Sequence, residues 1–410
     1  MSLFSKPAFR NILVGNAISN VGDGFHSIAA MWWIKVHTGS DALVASVALA
    51  KGITGVALAP LSGAFVDRHD RRRVMLLADL GRALVVAVLG ALAVSEHLES
   101  WMLIVSSVFI SVLDTLFTPA FSSSIPNVVP REQLAPANSA LQISGTLAGI
   151  GGPALGGIAV AALSSGFGFF VNAASFLVSA AFIAASAIPS PARVTAKHTS
   201  SVFQDVMGGW RWLRAERLMF GVMLLALGLN FLVAPLQVLF PGHAKDVLLT
   251  DARGFGLLEA GFPIGFLVGA VLLGALKPKA VGALVIGCMS TFGMLVMGLG
   301  LSRVLPVSLL VIVGMGAMLA LINISFSVVF QSRIPNEMQG RVMGVMQTFG
   351  GALQPLGMAF APALIVLLGG IPNVMLLIGA LASVAGLSFL TLPGFLALRP
   401  PSSGAAGAGA

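Results

Sequence analysis

Asp23, Lys51 and Asp114 each stand inside a long run of apolar residues, in a chain only 9% charged. An ionisable side chain at bilayer depth costs roughly 2.5–3.5 kcal/mol on insertion scales, so one that is retained points to pairing or to proton chemistry. Two carboxylates near one ammonium allow two readings. Asp23 and Lys51 form a stabilising pair, or one acid short of a partner takes up a proton and loses its attraction to Lys51. Asp23 shares a helical face with Ser19 and His26, and Asn16 and Asn20 extend that polar side. Such polarity has no use against lipid, so Asn20 and His26 are expected to line a cavity.

The other half of the chain is less charged. Glu259 is its one ionisable residue well inside an apolar run, near one end, where an outer-gate carboxylate and a snorkelling one fit equally. Asn230, Asn323, Gln347 and Gln354 supply amides beside many Met and Phe residues. Walls of that kind suit a bulky, partly apolar small molecule better than a sugar or a small ion.

The elements that must carry these residues follow from composition. The 410 residues are 57% hydrophobic with a mean hydropathy of +0.97, which a soluble fold cannot bury. Residues 133–192 and 342–398 contain no Asp, Glu, Lys or Arg, and each is long enough for two spans of ~20 residues. Hydropathy and Gly/Pro punctuation place spans at 10–36, 40–66, 74–95, 101–126, 133–162, 165–188, 218–240, 254–276, 280–302, 304–330, 341–368 and 372–398. The first runs past the length of a cleavable signal core and is expected to stay as a span. At 1.5 Å per residue, Asp23, Lys51 and Asp114 then lie ~17–20 Å from a helix end, at one depth.

Loop charge alternates along this series, and most of the 23 basic residues fall on one side. By the positive-inside rule that side, with both termini, is cytoplasmic, and the net charge of +8 is topological rather than a sign of nucleic-acid binding. Cys288 is the single cysteine and the six His are dispersed, so neither a disulfide nor a metal site is expected. No nucleophile–base arrangement or phosphate-cradling loop is evident. The chain reads as a non-enzyme with no cofactor, and any energy source must be an ion or solute gradient.

An offset of about 209 residues relates the halves: Ile125-Pro126-Asn127 recurs as Ile334-Pro335-Asn336. Because six spans separate them, the repeat is parallel. The expected division is 1–188 and 218–398 as six-helix halves, 189–217 as a cytoplasmic linker with an amphipathic helix, and 399–410 as a disordered cytoplasmic tail. In that linker Val202, Val206, Trp210 and Leu213 share one face. Gly63-x-x-x-Asp67-Arg68-x-Asp70-Arg71-Arg72-Arg73 follows span 2, and Gly152-Pro153-x-x-Gly156-Gly157 lies in span 5. No strand precedes the second glycine cluster, which excludes a dinucleotide-binding reading.

The two halves, the linker and the charged loop resemble the major facilitator superfamily, over nearly the whole chain. Asp70 stands where the common form of the loop signature has Gly. The stretches "NAISNVGD", "DRHDRRRVMLLADLGRA" and "PNVVPREQLAPANSA" resemble the bacterial branch of macrolide-efflux and enterobactin-exporter-like proteins. The glycine–proline cluster of span 5 resembles the antiporter motif of superfamily exporters, with Ser139 and Ala148 in place of further glycines.

The resemblance implies an all-α fold of twelve transmembrane helices, with Asp23, Lys51 and Asp114 on cavity-lining helices. It also implies a bacterial inner-membrane transporter, here a proton-coupled exporter of a drug or siderophore working by alternating access, and expected as a monomer. Gating is expected from Gly63, Asp67, Arg68, Asp70 and Arg71, with Asp67 accepting hydrogen bonds from a facing helix and Gly63 allowing close approach, and from the bend at Gly152–Gly157. Asp79 and Arg82 are expected as a local i,i+3 pair bracing that loop. A uniporter or importer of a lipid or metal chelate, and a non-transporting receptor, are the alternatives.

Overall fold

The structure, a computed structural model, describes residues 3–189, 202–276, 278, 280–396 and 398. The 190–201 part of the linker and the 399–410 tail lie outside the described residues, as does the side chain of Gln347. The described residues are helical: α1 Pro7–Thr38, α2 Asp41–Arg68, α3 Arg71–Val94, α4 Ser100–Val128, α5 Leu134–Ala162 and α6 Ser165–Ala184 come first. After α7 Val202–Ala215 follow α8 Arg217–Val233, α9 Pro235–Gly242, α10 Ala252–Leu276, α11 Val281–Leu301, α12 Leu305–Arg333, α13 Asn336–Leu368 and α14 Ile371–Ser388. Among the described residues eleven segments are long and apolar enough to cross a membrane, α8, α9 and the following π-turn counting as one. The 32-residue α1 makes a twelfth long helix, its hydropathy lowered by Asn16, Asn20, Asp23 and His26. The protein is thus an all-α, multi-spanning membrane protein.

Helix limits follow local chemistry. Ser40 caps α2 by accepting from Leu43 N (3.2 Å), and Asp70 caps α3 by accepting from Arg73 N (2.8 Å). Gly39 ends α1 at φ +64°, a conformation most side chains avoid. Two spans differ from the sequence expectation because of proline. Pro235 has no N–H to bond the carbonyl of Phe231, and the span expected at 218–240 divides there, α9 running into a π-turn at His243–Val247. The freed Phe231 carbonyl abuts Gly357 on α13, where a Cβ would sit 2.3 Å from it. The span expected at 372–398 ends at Ser388. Pro393 and Gly394 (φ +82°) turn the chain, Phe395 is buried, and the Leu398 carbonyl receives Val281 N at the start of α11 (3.1 Å).

The chain forms two compact units. One comprises Met1–Ala196 with Val238–Ala260. In it α1 packs on α5 and α6, α3 on α4 and α6, and α2 on α4, around an apolar core that includes Phe9, Ile12, Met75 and Phe117. The other comprises Lys197–Gln237 with Gly261–Ala410. Here α11 packs on α12 and α14, and α13 on α7 and α8, around Met223, Val285, Phe330 and Phe389. The amphipathic α7 turns its apolar side to this core: Leu213 is fully buried and Trp210 meets Phe220 edge-on (5.6 Å).

Without a hydrophobic drive between helices in lipid, small residues decide how closely backbones pack. In the second unit the GxxxG-spaced Gly265 and Gly269 lie on α12, where added Cβ atoms would fall 2.0 Å from the Val313 carbonyl and 2.3 Å from that of Ala317. Gly287 on α11 has nothing within 4 Å of the same position. Gly265→Val is therefore expected to cost ~1–3 kcal/mol of stability, as overpacking does. Gly287→Ala is expected to leave stability unchanged or raise it. Thermal unfolding of the two variants in detergent checks the contrast.

Candidate functional site

Asp23 of α1, Asp79 and Arg82 of α3 and Asp114 of α4 form one charged group of the first unit, against Asn172 and Phe176 of α6. Gly22 lets α6 lie against α1: a Cβ there would fall 2.0 Å from Ser175 Oγ and 2.6 Å from Asn172 Oδ1. The neighbouring Asp23 is exposed, and its carboxylate accepts from Asn172 Nδ2 at 3.4 Å. Along the same face Asn20 donates to Asn16 Oδ1 (3.1 Å), and the ring of half-buried His26 rests on Phe169, centroids 5.3 Å apart. The polar stripe anticipated on the first span is present, with Asn172 as a partner the sequence did not advertise.

The cation that meets Asp114 is Arg82, not Lys51. Arg82 on α3 is buried and binds Asp79 through Nη2 and Asp114 on α4 through Nη1. Phe117 and Phe176 stack against its guanidinium, 4.4 and 4.5 Å from ring centroid to Cζ. The expected local pair of Asp79 and Arg82 exists, but it extends across helices to the acid expected to face a cavity. Lys51 on α2 is exposed and enters no ion pair among the described residues. Its carbonyl accepts from Ser111 Oγ on α4 (2.8 Å), and its charge acts on Asp23 from a distance, as do Asp114 and Arg82. The reason for the difference is reach. Arg82 has a fork that serves two carboxylates from one buried position, while Lys51 stands at the accessible surface of α2.

The amides of the other half are more dispersed. Asn230 and Asn323 are exposed and donate to carbonyls of their own helices, Ala226 (3.0 Å) and Leu319 (3.0 Å). Gln354 and Glu259 are half-buried, and among the described residues Glu259 enters no ion pair.

At the arginine-rich end the loop after α2 makes contacts other than those expected. Asp67 and Arg68 are exposed, and Asp67 has no hydrogen bond or ion pair among the described residues. A Cβ on Gly63 would meet nothing within 4 Å among the described residues. Asp70, the departure from the common signature, is instead the cap of α3. Arg71 donates to the Ser123 carbonyl near the end of α4 (2.7 Å). Arg72 donates to the carbonyls of Ile183 (3.3 Å) and Ala184 at the end of α6. Two arginines thus tie the start of α3 to the C-terminal parts of α4 and α6, and Arg72 meets the Ala184 carbonyl at the end of α6.

In the glycine–proline cluster of α5, Gly152 and Gly156 lie against the Val21–Phe25 turn of α1. Gly157 lies on α10, where its Cβ would be 2.5 Å from the Ala252 carbonyl. The opposite end of the unit holds a second ionic group, one that loop charges alone did not reveal. Lys35, 2% exposed at the last turn of α1, binds Asp41 of α2 (2.7 Å) and Asp246 of the π-turn (2.6 Å). Lys245 donates to the Lys35 carbonyl (2.8 Å), and Trp32 stacks on Phe255 of α10, centroids 5.9 Å apart. Among the described residues no group of His, Cys, Asp or Glu has the arrangement of a metal site.

A profile described as Transmembrane secretion effector matches residues 1–389. The chain is 26% identical over 361 residues to Macrolide efflux protein A of Streptococcus pyogenes, covering 86% of this chain and 88% of that protein. It is 28% identical over 397 residues to the Enterobactin exporter EntS of Shigella boydii serotype 4 (strain Sb227), covering 95% and 91%. The crystal structure of the nucleoside transporter NupG superposes with a TM-score of 0.72 at 12% identity, over 94% of this chain and 98% of that one, which shows a common fold. The twelve long helices, the internal repeat and the capped arginine loop agree with these matches: the chain belongs to the Transmembrane secretion effector family of the major facilitator superfamily and is a secondary transporter.

Proposed function

We propose that this transporter is a proton-coupled exporter that moves a bulky amphiphilic compound out of the bacterial cytoplasm by alternating access, with both termini on the cytoplasmic side. The observation that carries this reading is the unequal pairing of the acids in the first unit. Arg82 is committed to Asp79 and Asp114, while Asp23 has one amide donor and an accessible carboxylate. Protonation of Asp23 removes a charge from a site that holds three acids and two bases, Lys51 and Arg82. Glu259 is a further carboxylate available to the same cycle.

Asn20 and His26 beside Asp23, with Asn230, Asn323, Gln347 and Gln354 in the other half, are the proposed substrate contacts. The macrolide-efflux and enterobactin-exporter relatives support a drug or siderophore as the class of substrate. Gating is assigned to the two ends of the first unit. Asp70, Arg71 and Arg72 brace one, and the Lys35 group closes the other by joining α1, α2 and the π-turn.

In proteoliposomes loaded with a macrolide, a catecholate siderophore or a lipophilic cationic dye, an imposed pH gradient is expected to accelerate flux of at least one probe. Asp23→Asn is expected to lower that acceleration by roughly tenfold or more while substrate exchange without a gradient persists. Flux indifferent to the gradient, with Asp23→Asn behaving as wild type, identifies a uniporter instead. For the outer group, Lys35→Met leaves two carboxylates without their cation; with Asp41 14% and Asp246 47% exposed, the cost falls below the ~3–5 kcal/mol of a fully buried pair. A cysteine introduced at Asn20 in a Cys288→Ala background is expected to react with an impermeant maleimide several-fold faster in that variant. An unchanged rate means that Lys35 does not hold this end closed.

A further inference from the structure

Arg82 is built with more hydrogen-bonding capacity than it uses. Its Nη2 binds Asp79 Oδ1 and its Nη1 binds Asp114 Oδ1. Among the described residues the buried Nε has no hydrogen-bond partner within 3.5 Å, and neither has the buried Oδ2 of Asp79. Ser179 on α6 stands close enough to Asp79 to interact with its carboxyl, in poorer than ordinary hydrogen-bond geometry. A buried polar atom without a partner is costly, and here a donor and an acceptor of one ion pair are both in that state. They are the two atoms that a bidentate guanidinium–carboxylate pair would use in addition to the contact already made. Phe117 and Phe176 cover the guanidinium, 4.4 and 4.5 Å from ring centroid to Cζ, while Asp79 and Asp114 meet its nitrogens.

We infer that Arg82 is a positioning residue with two arrangements. It is shared between Asp79 and Asp114 when Asp114 is ionised, and withdrawn into a bidentate pair with Asp79 when Asp114 takes a proton. This deepens the proton-coupled reading above and rests on it. The exposures give the direction of the signal: the Asp114 side chain is 32% exposed, Arg82 is 5% and Asp79 is 0%. A proton arriving at the accessible acid thus moves a charge inside the α3–α4–α6 core. The proton joins a carboxylate oxygen of Asp114, and no other bond is made or broken beyond the exchanged hydrogen bonds. The charged groups around Asp114 are Arg82 and Asp79 from α3 and Asp23 from α1, with Lys51 of α2 and His26 of α1 near Asp23; α5 and α6 offer no titratable group.

The shared arrangement needs the planar fork of Arg, and the withdrawn one needs the charge of Asp79. Arg82→Lys is expected to fold, to keep KM within about twofold and to lose at least tenfold in turnover. A residue needed only for its buried charge would be replaced by Lys without that split. Asp79→Asn removes the place of withdrawal, and the pH of half-maximal flux is expected to move to lower values by about one unit.

Infrared difference spectra of the wild-type protein upon acidification keep the inference testable if either variant fails to fold. A protonated-carboxyl band and a shift of the guanidinium band are expected together, and both are expected to vanish in Asp114→Asn. A carboxyl band without a guanidinium shift overturns the inference, as does wild-type turnover in Arg82→Lys. Coupled infrared changes in a protein whose flux ignores the pH gradient overturn the export reading instead and leave the Arg82 exchange standing.

Discussion

Ionised groups in a hydrocarbon slab persist only where protein or water replaces what the lipid cannot give. The pairing of Arg82 with Asp79 and Asp114 is the clearest instance in this chain. It joins α3 to α4 through charge and to α6 through the ring of Phe176. The accessible acids of the site are defined by what that pairing leaves over. Asp114 is held by a cation at its back, and Asp23, one helix away, is held by a single amide. Their difference in character arises from one arginine rather than from their own depth in the bundle.

Around that core the helices are placed by features that cost little volume. Gly22 gives Asn172 its position beside Asp23, and Gly152, Gly156 and Gly157 let α5 touch both α1 and α10. The polar stripe of α1 is thereby presented at fixed distance from α6, and the same helix carries Lys35 at its last turn. One rigid element therefore links the acid site to the ionic group at the far end, about twelve residues or ~18 Å away along its axis. An event at Asp23 and an event at Lys35 act on the same helix.

Much of this was legible in the sequence, for identifiable reasons. Helix number and type follow from apolar run length, and the polar face of α1 from its spacing of three and four residues. What was not legible is pairing across helices. Spacing favoured Asp79 with Arg82 because three residues separate them; the 32 residues to Asp114 carry no such signal. Asn172 lies in a charge-free stretch and has no feature that marks it as a carboxylate partner. Lys35 and Asp246 lie about 210 residues apart in the chain, close to the repeat offset yet on non-equivalent elements. In the charged loop the residue types were informative while their roles were not: Asp70 rather than Asp67 makes the capping bond, because it falls at the position just before α3 begins.

Arg71 and Arg72 are judged twice in the life of the molecule. During insertion they count as positive charge, and for that purpose a lysine is as good. In the folded state they tie α3 to two neighbouring helices, reaching carbonyls on α4 and α6 with the spread nitrogens of a guanidinium. A lysine keeps the first function and gives up the geometry of the second. Drift at these positions is therefore constrained by two unrelated selections at once. A scheme that transplants or inverts topology by moving such residues would also unfasten the ends of helices it never meant to touch.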